Sequence, residues 1–542
     1  MFFSYLCHPF EINIEMKKII IPLLFLILAP VLFAQGFSSL QQRKLTNALT
    51  AISNLYVDSI NDKKLVENAL EGVLKELDPH SVYISKEEVE RVNEPLEGSF
   101  EGVGIQFQMM EDTLLVIQTV AGCPASKVGV LPGDRILYID NDLVAGVKMQ
   151  NSDVFKRLRG PKGTEVIVKI RRAGQKELMV FKIIRDKIPL YSVDASYMIG
   201  KDIGYIKINN FGNSTVQEFE KAFETLKQKG MKKLILSLQG NGGGYLNAAI
   251  QLADEFLSNN KLIVYTKGLN SPKSVAESST AGIFETGKLI VLVDEYSASA
   301  SEIVSGALQD WDRAIIVGRR TFGKGLVQRQ FPLIDGSMLR LTVARYYTPT
   351  GRCIQKSYKN GYDKYEMDLS DRYKKGELLH ADSIHFADSL RYQTLNLKRT
   401  VYGGGGIMPD IFVPLDTANL TDFHRKIVAH GIVNKICVQY IDKNRADLKK
   451  QYTSFDKFKK EYEVSDAVLS QLISATEKEK IKVDSAQYAI SKPLIKLQMK
   501  ALVARDLWDM NEYYQIMDAE NETLQKAIEI MQTPGAYEKI LK

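Results

Sequence analysis

Two short apolar runs, 234–238 and 289–293, constrain this chain more than any other feature. Each is bounded by turn signals, and each is too short for a helix, so both are predicted to be buried strands. The first runs into Gly240-Asn241-Gly242-Gly243-Gly244 and then a helical pattern over 246–257. The second runs into Asp294-Glu295-Tyr296-Ser297-Ala298-Ser299-Ala300-Ser301-Glu302 and a helix predicted from about 300 to 309. A third strand is expected over 314–317. Repetition of strand, small-residue turn and helix defines an α/β core, placed at 187–355.

The remainder divides by periodicity. Residues 38–97 carry apolar positions at helical spacing (Leu45, Leu49, Ile52; Leu65, Ala69, Val73, Leu77) and end at Asp78-Pro79-His80-Ser81, a breaker. Residues 98–186 change to short strands with turn glycines. Residues 356–396 are polar, rich in Tyr, Lys and Asp, and are expected to form an exposed insertion. Sheet character returns over 397–416, and 417–542 is expected to be a helical domain with buried stripes. A chain of 542 residues accommodates several such domains, so the fold class is multidomain α/β and α+β.

Composition narrows the function. With 45% apolar and 25% charged residues the chain is of soluble globular type, and its net charge of +6 is dispersed. No basic stripe points to nucleic acid. Met16-Lys17-Lys18, an apolar run to Phe33 and then Ala34-Gln35 form a signal-peptide pattern over 16–34, with cleavage expected after Ala34 and Met16 an alternative start. The protein is therefore expected to be exported, to the periplasm or cell envelope. Cys123, Cys353 and Cys437 would remain, too few and too far apart for a disulfide framework, and no His/Cys spacing suggests a metal. No cofactor is expected.

Two segments carry candidate chemistry. A serine between a buried strand and a helix presents its hydroxyl near unpaired helix N–H groups; capping is the commoner role of such serines. Thr321-Phe322-Gly323-Lys324-Gly325 places a lysine between two glycines in an apolar context. Burial would lower its pKa and make it a base. The order of a phosphate-binding P-loop is absent, and the 240–244 turn lacks dinucleotide spacing because position 245 is Tyr. Developing negative charge would need N–H donors: Ala300, at the start of that helix, and the glycine turn, with Gly243 preferred.

Taken together, Ser-Ala-Ser-Ala-Ser-Glu-Ile followed by Gly-Lys-Gly resembles the carboxyl-terminal processing (tail-specific) serine peptidases. The resemblance extends over about 40–415. It includes Leu77-Asp78-Pro79-His80-Ser81, Gly98-x-Phe100-x-Gly102-Val103-Gly104 and Gly403-Gly404-Gly405-Gly406-Ile407-x-Pro409-Asp410. It implies a ClpP/crotonase-like peptidase core. It also implies a Ser/Lys dyad in which the lysine follows the nucleophile by 25 residues, the separation of Ser299 and Lys324, with Gln328 assisting the lysine. Where the family often has Asp-Leu-Arg-x-Asn-Pro-Gly-Gly, this chain has Ser237-Leu238-Gln239-Gly240-Asn241-Gly242-Gly243-Gly244. Residues 98–186 resemble a PDZ domain, with Gly102-Val103-Gly104-Ile105 as the loop that binds a peptide C-terminus. Arg159 falls near where some relatives place an arginine that senses the bound tail. Implied partners are proteins or peptides with free apolar C-termini; an envelope adaptor and an oligomer are compatible with this. Two competing readings are a non-hydrolytic PDZ scaffold of the envelope and a Ser–His arrangement using His80.

Overall fold

The computed structural model describes residues 37–110, 112–279 and 282–541. The expected signal peptide lies outside them, and no helix among the described residues is long and apolar enough to cross a membrane. The chain forms two compact units that divide between Gly72 and Val73. The first holds the helix Ser39–Leu55, capped by the Ser38 hydroxyl, and most of Asp62–Lys75.

The second unit is built on a six-stranded sheet, ordered Val193–Ile199, Ile203–Ile208, Lys233–Ser237, Leu289–Val293, Ile315–Gly318, Ile411–Phe412. Only the first pair is antiparallel. Both faces are covered, which is why its strands read as continuous apolar runs. Leu289, Val291 and Val293 face the helices Thr215–Gln228, Leu246–Asp254 and Ala300–Asp310. Ile290 and Leu292 face Glu522–Gln532. That last helix belongs to the back layer of the core, so the single helical domain expected at 417–542 is two structures. Residues 422–517 have their own core around Ile436, Phe458, Leu472 and Ile495.

A second sheet pairs Met338–Tyr347 with Val82–Ile84, Leu262–Lys267 and Leu326–Pro332. Its register sets Val82 against Arg340 and Gln328 against Thr342, which brings the Asp78–Ser81 turn beside the strand that follows Lys324.

The inserted β-domain is entered and left through one antiparallel ribbon, Ser99–Gly102 against Asp186–Pro189, which accounts for the pattern change at each boundary. Its sheet runs Ile105–Met110, Thr113–Thr119, Arg135–Ile139, Glu165–Arg171, Met179–Ile184. Leu114 and Val116 point to a core shared with Val154 and Leu158 of the helix Asn151–Leu158. Leu115 and Ile117, on the opposite face by strand alternation, are covered by Val438 of the helix Ile432–Gln451.

Most of the polar segment 356–396 is exposed, but Tyr365, Arg372 and Thr394 are buried. The Arg372 guanidinium is spent on main-chain carbonyls of the Thr321–Gly325 loop, so polarity at that position reports pairing and not solvent.

Candidate active site

Ser299, Gly243 and the Lys324 loop follow the carboxyl ends of three neighbouring strands, where open α/β sheets place their ligands. Ser299 has φ 55° and ψ −111°, a conformation costing a non-glycine residue about 1–3 kcal/mol. That bend turns the chain abruptly from the Asp294–Ala298 turn into the fully buried helix Ala300–Asp310. The neighbouring serines are structural. Ser297 Oγ donates to Leu238 O at 2.8 Å and Ser301 Oγ to Asn241 O at 2.9 Å, and both residues are buried; Ser299 alone of the three is partly exposed.

The opposite wall is the loop Thr321–Gly325, in which every backbone polar group has a partner. Thr321 N–H donates to Ile407 O, Phe322 N–H to Ser297 O, and Gly325 N–H to Gln355 Oε1. Gly323 N–H donates to Glu302 Oε1 and Lys324 N–H to Glu302 Oε2, each at 2.8 Å. Of the carbonyls, those of Thr321 and Phe322 accept from Arg372, Gly323 from Lys356 N–H, Lys324 from the Tyr346 hydroxyl and Gly325 from Tyr346 N–H.

Glu302 Oε2 also accepts from Ser299 N–H, at 2.9 Å, and the Thr321 hydroxyl donates to Oε1. Burial raises the Glu302 pKa, while these four donors favour the charged form. A carboxyl that only accepts, from four donors, is a carboxylate. On the carbonyl side, the Tyr346 hydroxyl lies 2.6 Å from Lys324 O and 3.1 Å from Ser299 O. Glu302 and Tyr346 thus clamp the two segments from both sides. The Ser-x-x-Glu spacing of a capping box signals Glu302 in the sequence; nothing local signals Tyr346.

Burial holds the Lys324 ammonium below the ordinary lysine range; Arg340 nearby lowers it further, and Glu302 and Asp78 oppose this. Arg340 Nη2 is itself buried without a partner. His80 is pushed down to about 4, first by burial and then by Lys324, so its imidazole is neutral near pH 7. Its Nε2 is 2.7 Å from the Tyr365 hydroxyl. Gln328 Nε2 donates to Thr342 Oγ1 at 3.2 Å, and Thr342 Oγ1 donates to Asp78 Oδ1 at 2.9 Å, so Gln328 anchors the Asp78–Ser81 turn.

The glycine turn meets the Ser299 turn directly. A Cβ on Gly243, which has φ +99°, would lie 2.8 Å from Ser299 Cβ and 2.9 Å from Ala300 N. Ala300 begins its helix, so its N–H has no intrahelical acceptor. The Gly243 N–H, in contrast, is held by Asn241 Oδ1 at 2.8 Å. In the β-domain, Gly104 has φ +76° and a Cβ there would strike Cys123 Cβ at 2.7 Å. Val103 is buried between Gly102 and Gly104; the strand that begins at Ile105 forms one edge of its sheet. Arg159 donates to both carboxylate oxygens of Glu94, at 2.6 and 2.8 Å, and covers the Phe100 ring at 4.6 Å. Among the described residues the three cysteines are unpaired and no cluster of His, Cys, Asp or Glu is placed to hold a metal.

An α/β core with a serine at a strained strand-to-helix turn, joined to a PDZ domain, defines a serine-type peptidase. The comparisons agree. Residues 202–361 match the model of peptidase family S41 and 115–172 that of the PDZ domain. Residues 34–88 match the activating protease CtpB N-terminal domain, and 423–509 a family of unknown function, DUF8443. The chain is 37% identical over 324 residues to the carboxy-terminal-processing protease of Bartonella bacilliformis, covering 59% of this chain and 74% of that one. It is 36% identical over 316 residues to the carboxy-terminal processing protease CtpB of Bacillus subtilis (58% and 65%). To CtpA of the same organism it is 34% identical over 343 residues (63% and 72%). The chain belongs to the carboxy-terminal processing proteases of peptidase family S41.

Proposed function

We propose that this peptidase is an exported endopeptidase that takes substrates by their free C-termini and cleaves them with Ser299 and Lys324. The supporting observation is the shared Glu302 carboxylate, which holds the backbones of both residues in one rigid unit. Lys324, whose pKa burial and Arg340 lower, takes the proton from Ser299 Oγ in its neutral form. The oxygen attacks the scissile carbonyl carbon. Ala300 N–H, open at the start of its helix, supports the oxyanion; Gly243 N–H would join it on release from Asn241 Oδ1. Collapse expels the amine, which receives the proton from Lys324, and leaves an ester on Ser299. Water, deprotonated by the again neutral lysine, hydrolyses that ester. Gln328 acts through Thr342 and Asp78 on the wall facing Lys324. His80 is engaged by Tyr365 and takes no proton in this scheme.

The substrate tail would add as a strand along Ile105–Met110, with its carboxylate at Gly102–Ile105. Arg159, committed to Glu94, would report tail binding by exchanging that partner. The signal-peptide pattern over 16–34 supports export to the envelope. The test is cleavage of a peptide with an apolar free C-terminus against its amidated form, by the wild type, Ser299→Ala and Lys324→Ala. Both variants should be folded and inactive, and amidation should slow the wild type. Full activity in Lys324→Ala would remove the dyad, and equal rates on the two peptides would remove tail recognition.

A further inference from the structure

Three of the five carbonyls of the Lys324 loop are satisfied from outside the peptidase core, two of them by one side chain. Arg372, in the helix Asp368–Lys374, donates from Nη1 to Thr321 O at 2.8 Å and from Nη2 to Phe322 O at 3.0 Å. It is 3% exposed. A guanidinium is a planar fork, and here its two prongs fix two consecutive peptide planes, which a lysine ammonium cannot do. Asp368 pairs with the same guanidinium at 2.9 Å and with Lys356 Nζ at 3.1 Å, while Lys356 N–H closes on Gly323 O. From the preceding helix Tyr362–Glu366, Tyr365 reaches the His80 ring. The segment is thus fastened to the lysine loop at three consecutive carbonyls and to the turn opposite it.

We propose that Arg372 is a positioning residue of the peptidase reaction, holding the Thr321–Gly325 loop so that Lys324 stays dry and aimed at Ser299. This rests on the assignment of Ser299 and Lys324 above. Without Arg372 two buried carbonyls lose their donors, and the loop, with Gly323 and Gly325 on either side of Lys324, can turn them toward water. The lysine then moves with its own main chain, and water reaches the ammonium. The groups that face Lys324 from the surrounding elements (Arg340, Glu302, Asp78, His80) remain, so the change is one of solvation and aim. Arg372 itself faces Arg320, Asp368, Glu377 and Glu302 and stays charged near neutral pH. A polar cavity of about 200 Å³ lined by Asp368, Arg372 and Glu377 adjoins it and gives a small cation a route in.

The experiment measures kcat and KM on a peptide with an apolar free C-terminus from about pH 6 to pH 10, for the wild type, Arg372→Ala, Arg372→Lys and Lys324→Ala. Arg372→Ala should lower kcat about ten- to a hundredfold near neutral pH with KM little changed. Its acid limb should move to higher pH, so the deficit shrinks toward about pH 10. Added guanidinium chloride, below denaturing concentration, should restore part of the kcat of Arg372→Ala and none of that of Arg372→Lys, which is expected to lie between the two. An unchanged kcat and acid limb would overturn the proposal. So would a loss of the same size at every pH that guanidinium does not relieve in the alanine variant, since that marks a merely structural role. Activity retained in Lys324→Ala would overturn the dyad and this inference with it; inactivity of Lys324→Ala beside a wild-type Arg372→Ala would overturn this inference alone.

Discussion

The backbone amides of Ser299 and Lys324 donate to the same atom, Oε2 of Glu302, at 2.9 and 2.8 Å. The two residues come from different loops, and a single buried carboxylate oxygen sets the distance between their main chains. The other oxygen serves Gly323 N–H and the Thr321 hydroxyl, so no lone pair of use is left over.

Glu302→Gln tests this arrangement, because the amide keeps the shape and replaces one acceptor by a donor. Whichever way it is turned, an NH₂ group meets N–H donors. Loss of about 3 kcal/mol in stability is expected, from buried donors left unpaired, with a fall in kcat of about a hundredfold from misplacement of Lys324 relative to Ser299. Denaturant melts and steady-state kinetics check both. A variant with wild-type kcat would show that the shared oxygen is dispensable to the reaction.

Arg340 sets the second expectation. Its guanidinium lowers the Lys324 pKa by charge repulsion, after burial the larger of the two causes, and Glu302 and Asp78 pull the other way. In the proposed mechanism the active form needs neutral Lys324, so kcat/KM should rise with pH through the lysine pKa of the folded enzyme. Replacing Arg340 with Met removes a positive neighbour and raises that pKa. The acid limb should therefore move to higher pH, and each unit of movement costs about tenfold at a fixed pH below the limb. The pH profile of kcat/KM measures it; a limb that does not move would mean that Arg340 and Lys324 are uncoupled.

His80 gives a stability prediction with a defined window. Its pKa falls from the usual value of 6.5 to about 4 on folding, chiefly through burial. Between those values the unfolded chain binds a proton that the folded protein excludes, so stability is complete above about pH 6.5 and declines as pH falls toward 4. The largest loss from this one group is about 3 kcal/mol. His80→Ala should flatten that part of the curve, and it should leave peptide cleavage near the wild-type rate at about pH 8, because Tyr365 occupies the ring nitrogen. Urea melts from about pH 7 to pH 4 read the first effect. A slope unchanged in the variant would assign the acid sensitivity to other groups.

Much of this site was legible in the sequence, and the limit falls between local and distant partners. The apolar runs at 234–238 and 289–293 read as strands because both faces of their sheet are buried. Ser299, Lys324 and Gln328 were singled out through the resemblance to the tail-specific peptidases, and the structure brings the main chains of the first two together at Glu302. Glu302 was within reach of capping-box spacing, three residues after Ser299. Tyr346 and Arg372 were not, because each reaches the site from a segment distant in the chain. Tyr346 arrives by strand pairing with the segment after Lys324, and Arg372 from a helix whose polar composition reads as solvent-facing. The orientation of the Gly243 N–H depends on Asn241, whose side chain also binds Ile208 O across the sheet end, a relation no spacing encodes.

The helical region 422–517 yields the last prediction, which concerns where the PDZ domain can go. A PDZ sheet standing alone would expose Leu115 and Ile117; here Val438 covers them, and Arg135 pairs with Asp442 at 2.6 Å at the rim of the same contact. Gln108 and Gln118 add bonds to Asn434 and to Trp508 O. The same region is fixed to the core sheet, through Asn511 to Ser196 N–H and Tyr514 to Asp194, so it ties the PDZ domain to the peptidase by the face away from the helix Asn151–Leu158. The strand Ile105–Met110, proposed above to take the substrate tail, remains at the edge of its sheet while the domain is held. Asp442→Arg should weaken this docking by placing two cations together, and Arg135→Asp in the same chain should restore it. The pair is partly exposed, so a coupling of about 1 kcal/mol is expected. Limited proteolysis at the ribbon of Ser99–Gly102 and Asp186–Pro189 should be faster in Asp442→Arg and return toward wild type in the double variant. Equal cleavage in all three proteins would mean that this ion pair does not hold the PDZ domain in place.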